Sequence, residues 1–257
     1  MDLPDWDRPS EENPALCYQF REGEMPHFKY RWFLPEARKR IPLVVYLHGA
    51  DVTGNDNELQ LSSHDIGTMF VRPNWQKHHP CAVLAPQYGR GSYWAARPVE
   101  TEMIELIRTF LNRYNGLDPD RVYLYGYSAG GVGTLQYLKD HPGLFAAGIA
   151  ICGATSSKDL ENLKKVPLWL IHAEDDEIVL HSYMGGHLGS TDLYHHLMPS
   201  EDLHYTRLPA GYLKEMYGVN PHCSWVYLSD PKKPEIREWL FSRRRLTSDP
   251  GSWPLPS

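Results

Sequence analysis

The sequence predicts an α/β fold in which a mostly parallel central sheet carries helices on both faces and an antiparallel hairpin on its N-terminal side. Three observations lead there. Short apolar runs rich in β-branched and aromatic residues recur along the chain, as in PLVVYLH (42–48), VYLYGYS (122–128) and VPLWLIHA (166–173). Runs of that length without polar alternation suit strands buried on both faces of a parallel sheet. Between them stand stretches with helical spacing, and strands alternating with helices imply right-handed crossovers. Finally, 257 residues with 42% hydrophobic and 23% charged side chains suit one domain, 1–257, around a single core.

The elements follow in order. After a polar lead, residues 1–15, Cys17–Arg21 and Phe28–Leu34 read as two short strands around the turn-rich GEMP, forming the hairpin. The run from Pro42 to His48 reads as a central strand, and Asp51–His64 as a long polar loop of the kind that often serves function. Cys81–Gln87 is the next strand. Val99, Met103, Leu106, Ile107, Phe110 and Leu111 recur at three and four, and Pro98 suits a first turn, so a helix is expected over Pro98–Tyr114. A strand then enters Ser128, followed by a helix over Gly130–Lys139. Ala146–Gly153 and Val166–Ala173 are buried strands, Leu203–Leu208 a last short one, and Pro234–Arg243 a closing helix. Residues 181–220 are expected to hold insertions forming a partial lid, and 246–257, rich in Pro and Ser, a loose tail or one laid down by Trp253.

Composition excludes several roles. The net charge of -6 comes without a Lys/Arg block that could track phosphates, so no nucleic-acid partner is expected. The acidic, proline-containing start lacks the basic and apolar segments of an export signal, so the expected location is cytoplasmic. No stretch of about eighteen apolar residues is present, so no membrane span is expected. Cys17, Cys81, Cys152 and Cys223 are far apart, without metal-type spacing, and read as reduced thiols. No metal and no cofactor is expected.

The chemistry centres on Gly126-Tyr127-Ser128-Ala129-Gly130. It matches G-x-S-x-G, in which small residues let a strand turn sharply into a helix with serine at the apex, and here a strand-like run precedes it and a helical one follows. Such an elbow requires a later Asp or Glu after a strand, then a His near the chain's end. Glu174, Asp175 and Asp176 follow the strand ending at Ala173, at the carboxyl edge where ligand sites of open α/β sheets form. Of thirteen histidines, His222 lies in the loop between the last strand and the closing helix, the position such a base occupies, with His204 and His187 as alternatives. His48 and His172 read as structural, and His181, His187, His195 and His196 fall in the expected covering segment.

These residue types are what acyl transfer demands. A serine hydroxyl is a weak nucleophile until an imidazole takes its proton, and a carboxylate fixes that imidazole's tautomer and steadies its cation. The oxyanion that forms needs backbone N–H donors, expected from Ala129, after the nucleophile, and Ala50, after the earlier strand. Trp94 and Trp225 are candidate substrate-binding walls for an acyl or phenolic group, or else core residues.

Taken together, LHGADVTGNDNELQ (47–60), APQ (85–87) with Tyr93-Trp94, GYSAGG, IHAEDDEIV and HCSW (222–225) resemble bacterial α/β-hydrolase esterases and peptidase-like proteins. These are related to dienelactone hydrolase and to prolyl-oligopeptidase catalytic domains, and include feruloyl-esterase-like enzymes. The resemblance runs from about Tyr30 to Trp225. It implies an α/β-hydrolase fold and a cofactor-free carboxylic-ester hydrolase acting on a small-molecule ester through an acyl-serine. It also selects Asp176 as the acid, because the family pattern HGExDxxVP places its Asp there. The chain departs from the family at Asp51, where a glycine is usual, at Ala173 in place of Gly and at Leu180 in place of Pro. Alternatives are a peptidase or acyltransferase on the same three residues, or a non-catalytic ligand receptor that kept the fold.

Overall fold

Every residue of the run from Ile41 to Leu47 is buried, yet its side chains divide between two cores. Strand geometry sends successive side chains to opposite faces. Val44 and Tyr46 join one core, while Leu43, Val45 and Leu47 join the other. The computed structural model describes residues 6–36, 39–182 and 185–245. Among these, strands β1 (Arg21–Met25), β2 (Phe28–Phe33), β3 (Ile41–Leu47), β4 (Ala82–Tyr88), β5 (Leu117–Tyr127), β6 (Ala147–Ile151), β8 (Leu168–Ala173) and β10 (Leu203–Leu208) form one sheet. Its order is β1-β2-β4-β3-β5-β6-β8-β10. The β1–β2 and β2–β4 pairs are antiparallel, and the rest are parallel. A ribbon of β7 (Ala154–Ser156) and β9 (His187–Gly189) stands apart.

Helices clothe both faces. On one, α4 (Arg97–Arg113), α5 (Ala129–Asp140) and α6 (Ser190–Leu197) bury Met103, Ile107, Leu135, Leu138, Leu193 and Leu197 against β3, β5 and β8. On the other, Leu61 of α2 (Leu59–Ser62), Leu213 of α7 (Tyr212–Tyr217), Leu228 of α8 (Trp225–Ser229) and Leu240 of α9 (Glu235–Ser242) meet Tyr123, Tyr125 and Tyr127 of β5. Short helices α1 (Asn13–Cys17) and α3 (Pro73–His78) join the same side, with Leu16 buried in that core and Trp75 packed against it. Each fully buried aliphatic or aromatic side chain contributes about 1.5–3 kcal/mol, so the two cores dominate the fold's stability.

Apart from the first strand, the expected strands and the two long helices are present, with ends shifted by one or two residues, except β5, which begins five residues earlier. Two expectations need correction. Asn13–Cys17 is a helix and β1 begins at Arg21; Pro14 at the first turn suits a helix start, and the turn falls at Pro26-His27. The segment expected as a lid is largely framework: α6 is the crossover between β8 and β10, with Leu193 and Leu197 in the core, and Leu213 of α7 is buried as well. The expected tail, 246–257, lies outside the described residues. No described helix is long and apolar enough to cross a membrane.

Candidate active site

Ser128 sits between β5 and α5 with φ 53° and ψ −119°. A side chain there is strained by about 1–3 kcal/mol, which surrounding structure must hold in place. The backbone does so: the Ser128 N–H donates to the Ile151 carbonyl at 2.9 Å, and the Val132 N–H to the Ser128 carbonyl at 3.0 Å. The flanking glycines are required by close approach. A Cβ on Gly130 would stand 1.9 Å from the Leu47 carbonyl oxygen, and one on Gly126 2.5 Å from the Gly130 carbonyl oxygen. The helix therefore begins hard against the end of β3, which brings Ser128 beside the loop that follows that strand.

The hydroxyl of Ser128 donates to His222 Nε2 at 2.9 Å, and His222 Nδ1–H donates to Asp176 Oδ2 at 2.8 Å. Asp176 is held from its other side, where Oδ1 accepts the backbone N–H groups of Ile178 and Val179 at 2.9 and 3.0 Å. A second imidazole reaches the same carboxylate, with His172 Nε2 3.2 Å from Oδ2. Burial works against the Asp176 charge, but hydrogen bonds from His172 and His222 outweigh it and hold the carboxyl well below the usual range. A fixed anion at this position orients His222 with its free lone pair toward the serine. The other acid candidates are engaged elsewhere: Asp175 accepts the Gly211 N–H at 2.8 Å, and Glu174 pairs with Arg207 at 2.9 Å. His204 stacks on Trp169 at 4.6 Å, and His187 lies in β9.

The sequence profile of the prolyl oligopeptidase family matches residues 99–168, the stretch from α4 to the start of β8. The crystal structure of a thermostable esterase superposes with a TM-score of 0.82 at 32% identity, covering 90% of this chain and 64% of that one. This chain has the α/β-hydrolase fold. NocK of Nocardia uniformis subsp. tsuyamanensis, provisionally named an esterase, is 27% identical over 157 residues, 56% of this chain and 42% of its own. The acylaminoacyl peptidase of Pyrococcus horikoshii shares the fold, with a TM-score of 0.61 at 15% identity over 96% of this chain and 46% of that one. The α/β-hydrolase chain thus spans less than two thirds of each of these relatives.

Around the serine of this α/β-hydrolase, Ala129 opens α5 and Ala50 opens a 3₁₀ turn over Ala50–Val52. First-turn N–H groups have no partner within their helix, which leaves them available to an oxyanion. Trp94 and Trp225 are corrected as substrate walls, since they are 2% and 0% exposed. The Trp94 indole N–H donates to the His48 carbonyl at 2.9 Å, which fixes the strand end leading into the Ala50 loop. Trp225 packs against Tyr127 at 4.2 Å and donates to Asp7 at 2.8 Å. Both support the site from beneath.

Cys152, Asp176 and His222 bring donor atoms within 4.8 Å of one another, the one such grouping among the described residues. Its Asp176 and His222 atoms already bond each other, and the Cys152 thiol is buried and pushed well up, so the set does not suit a metal ion.

Sequence reasoning missed four contributors. His172 reaches Asp176, although a histidine ending a buried strand gave no hint beyond its position. Trp6 and Asp7 fold back from the polar lead, with Trp6 edge-on to the His222 ring at 6.0 Å; an isolated tryptophan in an acidic segment was the available signal. His64 links Asp7 to Asp51.

Proposed function

We propose that the chain is a serine carboxylesterase that hydrolyses small or medium carboxylic esters, including aromatic or sugar-linked acyl esters, through an acyl-serine intermediate. The observation that carries this reading is the continuous relay Asp176–His222–Ser128, with 2.8 and 2.9 Å links. Ser128 Oγ attacks the ester carbonyl carbon while its proton passes to His222 Nε2. The N–H groups of Ala129 and Ala50 receive the oxyanion. Collapse breaks the bond to the alkoxy oxygen, which leaves as the alcohol with the proton from His222. Water, deprotonated by the same imidazole, then cleaves the acyl-serine and releases the acid.

No step calls for a cofactor. The prolyl-oligopeptidase match supports a second reading, a peptidase on the same three residues. Turnover of acetyl, butyryl, feruloyl and peptidyl substrates, with Ser128→Ala as control, separates the two. Ester cleavage without amide cleavage is the expected result, and faster cleavage of the peptidyl amides would replace the esterase reading with the peptidase one.

A further inference from the structure

Behind the candidate active site lies a second chain of charges. His64 Nε2–H donates to Asp51 Oδ2 at 2.7 Å, and Asp7 Oδ1 stands 2.6 Å from Nδ1 as an ion pair without hydrogen-bond alignment. An imidazole with a carboxylate at each nitrogen can serve both only as the cation. Asp51 does more than meet His64. Its two oxygens accept the Tyr127 hydroxyl at 2.9 and 3.1 Å, and Tyr127 immediately precedes Ser128. Asp51 itself immediately follows Ala50. At Gly49 a Cβ would stand 2.3 Å from the Tyr127 ring and 2.5 Å from Asp51 Oδ1, so the loop lies directly on the elbow. At the far end Asp7 accepts the Trp225 indole N–H at 2.8 Å, and Trp6 stacks on Trp225 and meets the His222 ring edge-on, each at 6.0 Å.

From this arrangement we infer that Asp7, His64 and Asp51 form a charge clamp that holds the oxyanion loop against the nucleophile elbow. His64 is then a positioning residue for the reaction. The inference rests on the hydrolase reading above. It also answers the sequence's departure at residue 51: a glycine there could not be gripped, whereas an aspartate ties the loop to Tyr127 on one side and to the N-terminal segment on the other.

The clamp's charge state follows from its surroundings. Burial opposes the His64 cation, but Asp51 and Asp7 outweigh burial and raise its pKa to about 9. Burial also works against the Asp51 anion, but contact with His64 and Tyr127 keeps its carboxyl below the usual range. The other titratable groups facing the imidazole are the Tyr127 and Tyr46 hydroxyls and, near Asp7, the Cys223 thiol, all pushed upward by burial. Asp65, the next residue, is neutralised by Arg72 at 2.8 Å, which also meets Glu12 at 2.9 Å. In the mildly alkaline range His64 is therefore the member of this group that loses its charge. The raised value fixes the sign: the clamp keeps its charge at neutral pH and loses it as pH rises through about 9.

The test is the pH dependence of kcat and KM for p-nitrophenyl acetate, after subtraction of uncatalysed hydrolysis, in wild type, His64→Gln and Asp7→Asn. Wild-type kcat is expected to fall above about pH 9. Misplacing an oxyanion donor removes part of a term that can reach a hundredfold or more, so His64→Gln should lower kcat at least about tenfold with KM changed far less. It should also abolish the alkaline fall. Asp7→Asn, the variant to use if His64→Gln does not fold, should move that fall to lower pH, because one of the two anions holding the proton is gone. A His64→Gln enzyme with wild-type kcat and the same alkaline fall, or an Asp7→Asn enzyme whose fall is unmoved, overturns the clamp while leaving the hydrolase reading intact. A wild-type protein that turns over no ester overturns that reading and the clamp's role with it.

Discussion

Replacing Asp176 with asparagine isolates what the buried carboxylate does. Oδ1 accepts two backbone N–H groups, from Ile178 and Val179, so the asparagine carbonyl keeps that position. Its NH₂ then falls where Oδ2 was, facing the N–H of His222 at 2.8 Å. Donor meets donor. The least costly escape moves the His222 proton from Nδ1 to Nε2, so that Nδ1 accepts from the amide. Nε2 then points an N–H at Ser128 and has no lone pair for the serine proton. Loss of the working tautomer in such a relay lowers kcat by roughly 10⁴, about 5.5 kcal/mol at 1.36 kcal/mol per decade. The assay is turnover of an activated aryl ester, with circular dichroism to verify the fold. The rate of labelling by a fluorophosphonate should drop in parallel. A folded Asp176→Asn variant within tenfold of wild type would show that the carboxylate does not set the working tautomer.

Further expectations follow from other features of the site. A general base must be unprotonated, so turnover should fall toward acid pH, and a rate that stays flat from about pH 5 to 8 would remove an imidazole from that role. Gly130→Ala drives a Cβ to 1.9 Å from the Leu47 carbonyl oxygen; activity should vanish with a large drop in Tm, and a variant as stable as wild type would show that the helix need not abut β3. Trp94→Phe leaves the buried His48 carbonyl without its 2.9 Å donor and should cost about 1–3 kcal/mol in denaturant unfolding with KM unchanged. A changed KM with unchanged stability would return Trp94 to the role of substrate wall.

Legibility in the sequence tracked how local the cause was. GYSAG lies in one stretch and obeys a steric rule, so the elbow and its flanking elements could be placed from residues alone. The acidic triplet could be placed after β8 because a long apolar run marks that strand. Which of its members faces the histidine depends on the turn that lets Ile178 and Val179 cap Asp176, and only the family pattern pointed there in advance. The two tryptophans show the limit of composition, since a wall and a buried strut have the same side chain and differ only in what covers them. Asn13–Cys17 shows another limit, since NPALC is short and a proline start outweighs its apolar content. The Asp7–His64–Asp51 chain was invisible because its members lie up to 57 residues apart in sequence and no periodicity joins them.

The most direct measurement is the mass of the peptide carrying Ser128 after reaction with a fluorophosphonate. A single phosphonyl adduct is expected on the Ser128 oxygen, absent from Ser128→Ala and from heat-denatured protein. An adduct on another serine, or an unmodified peptide from folded protein under the same exposure, would contradict it.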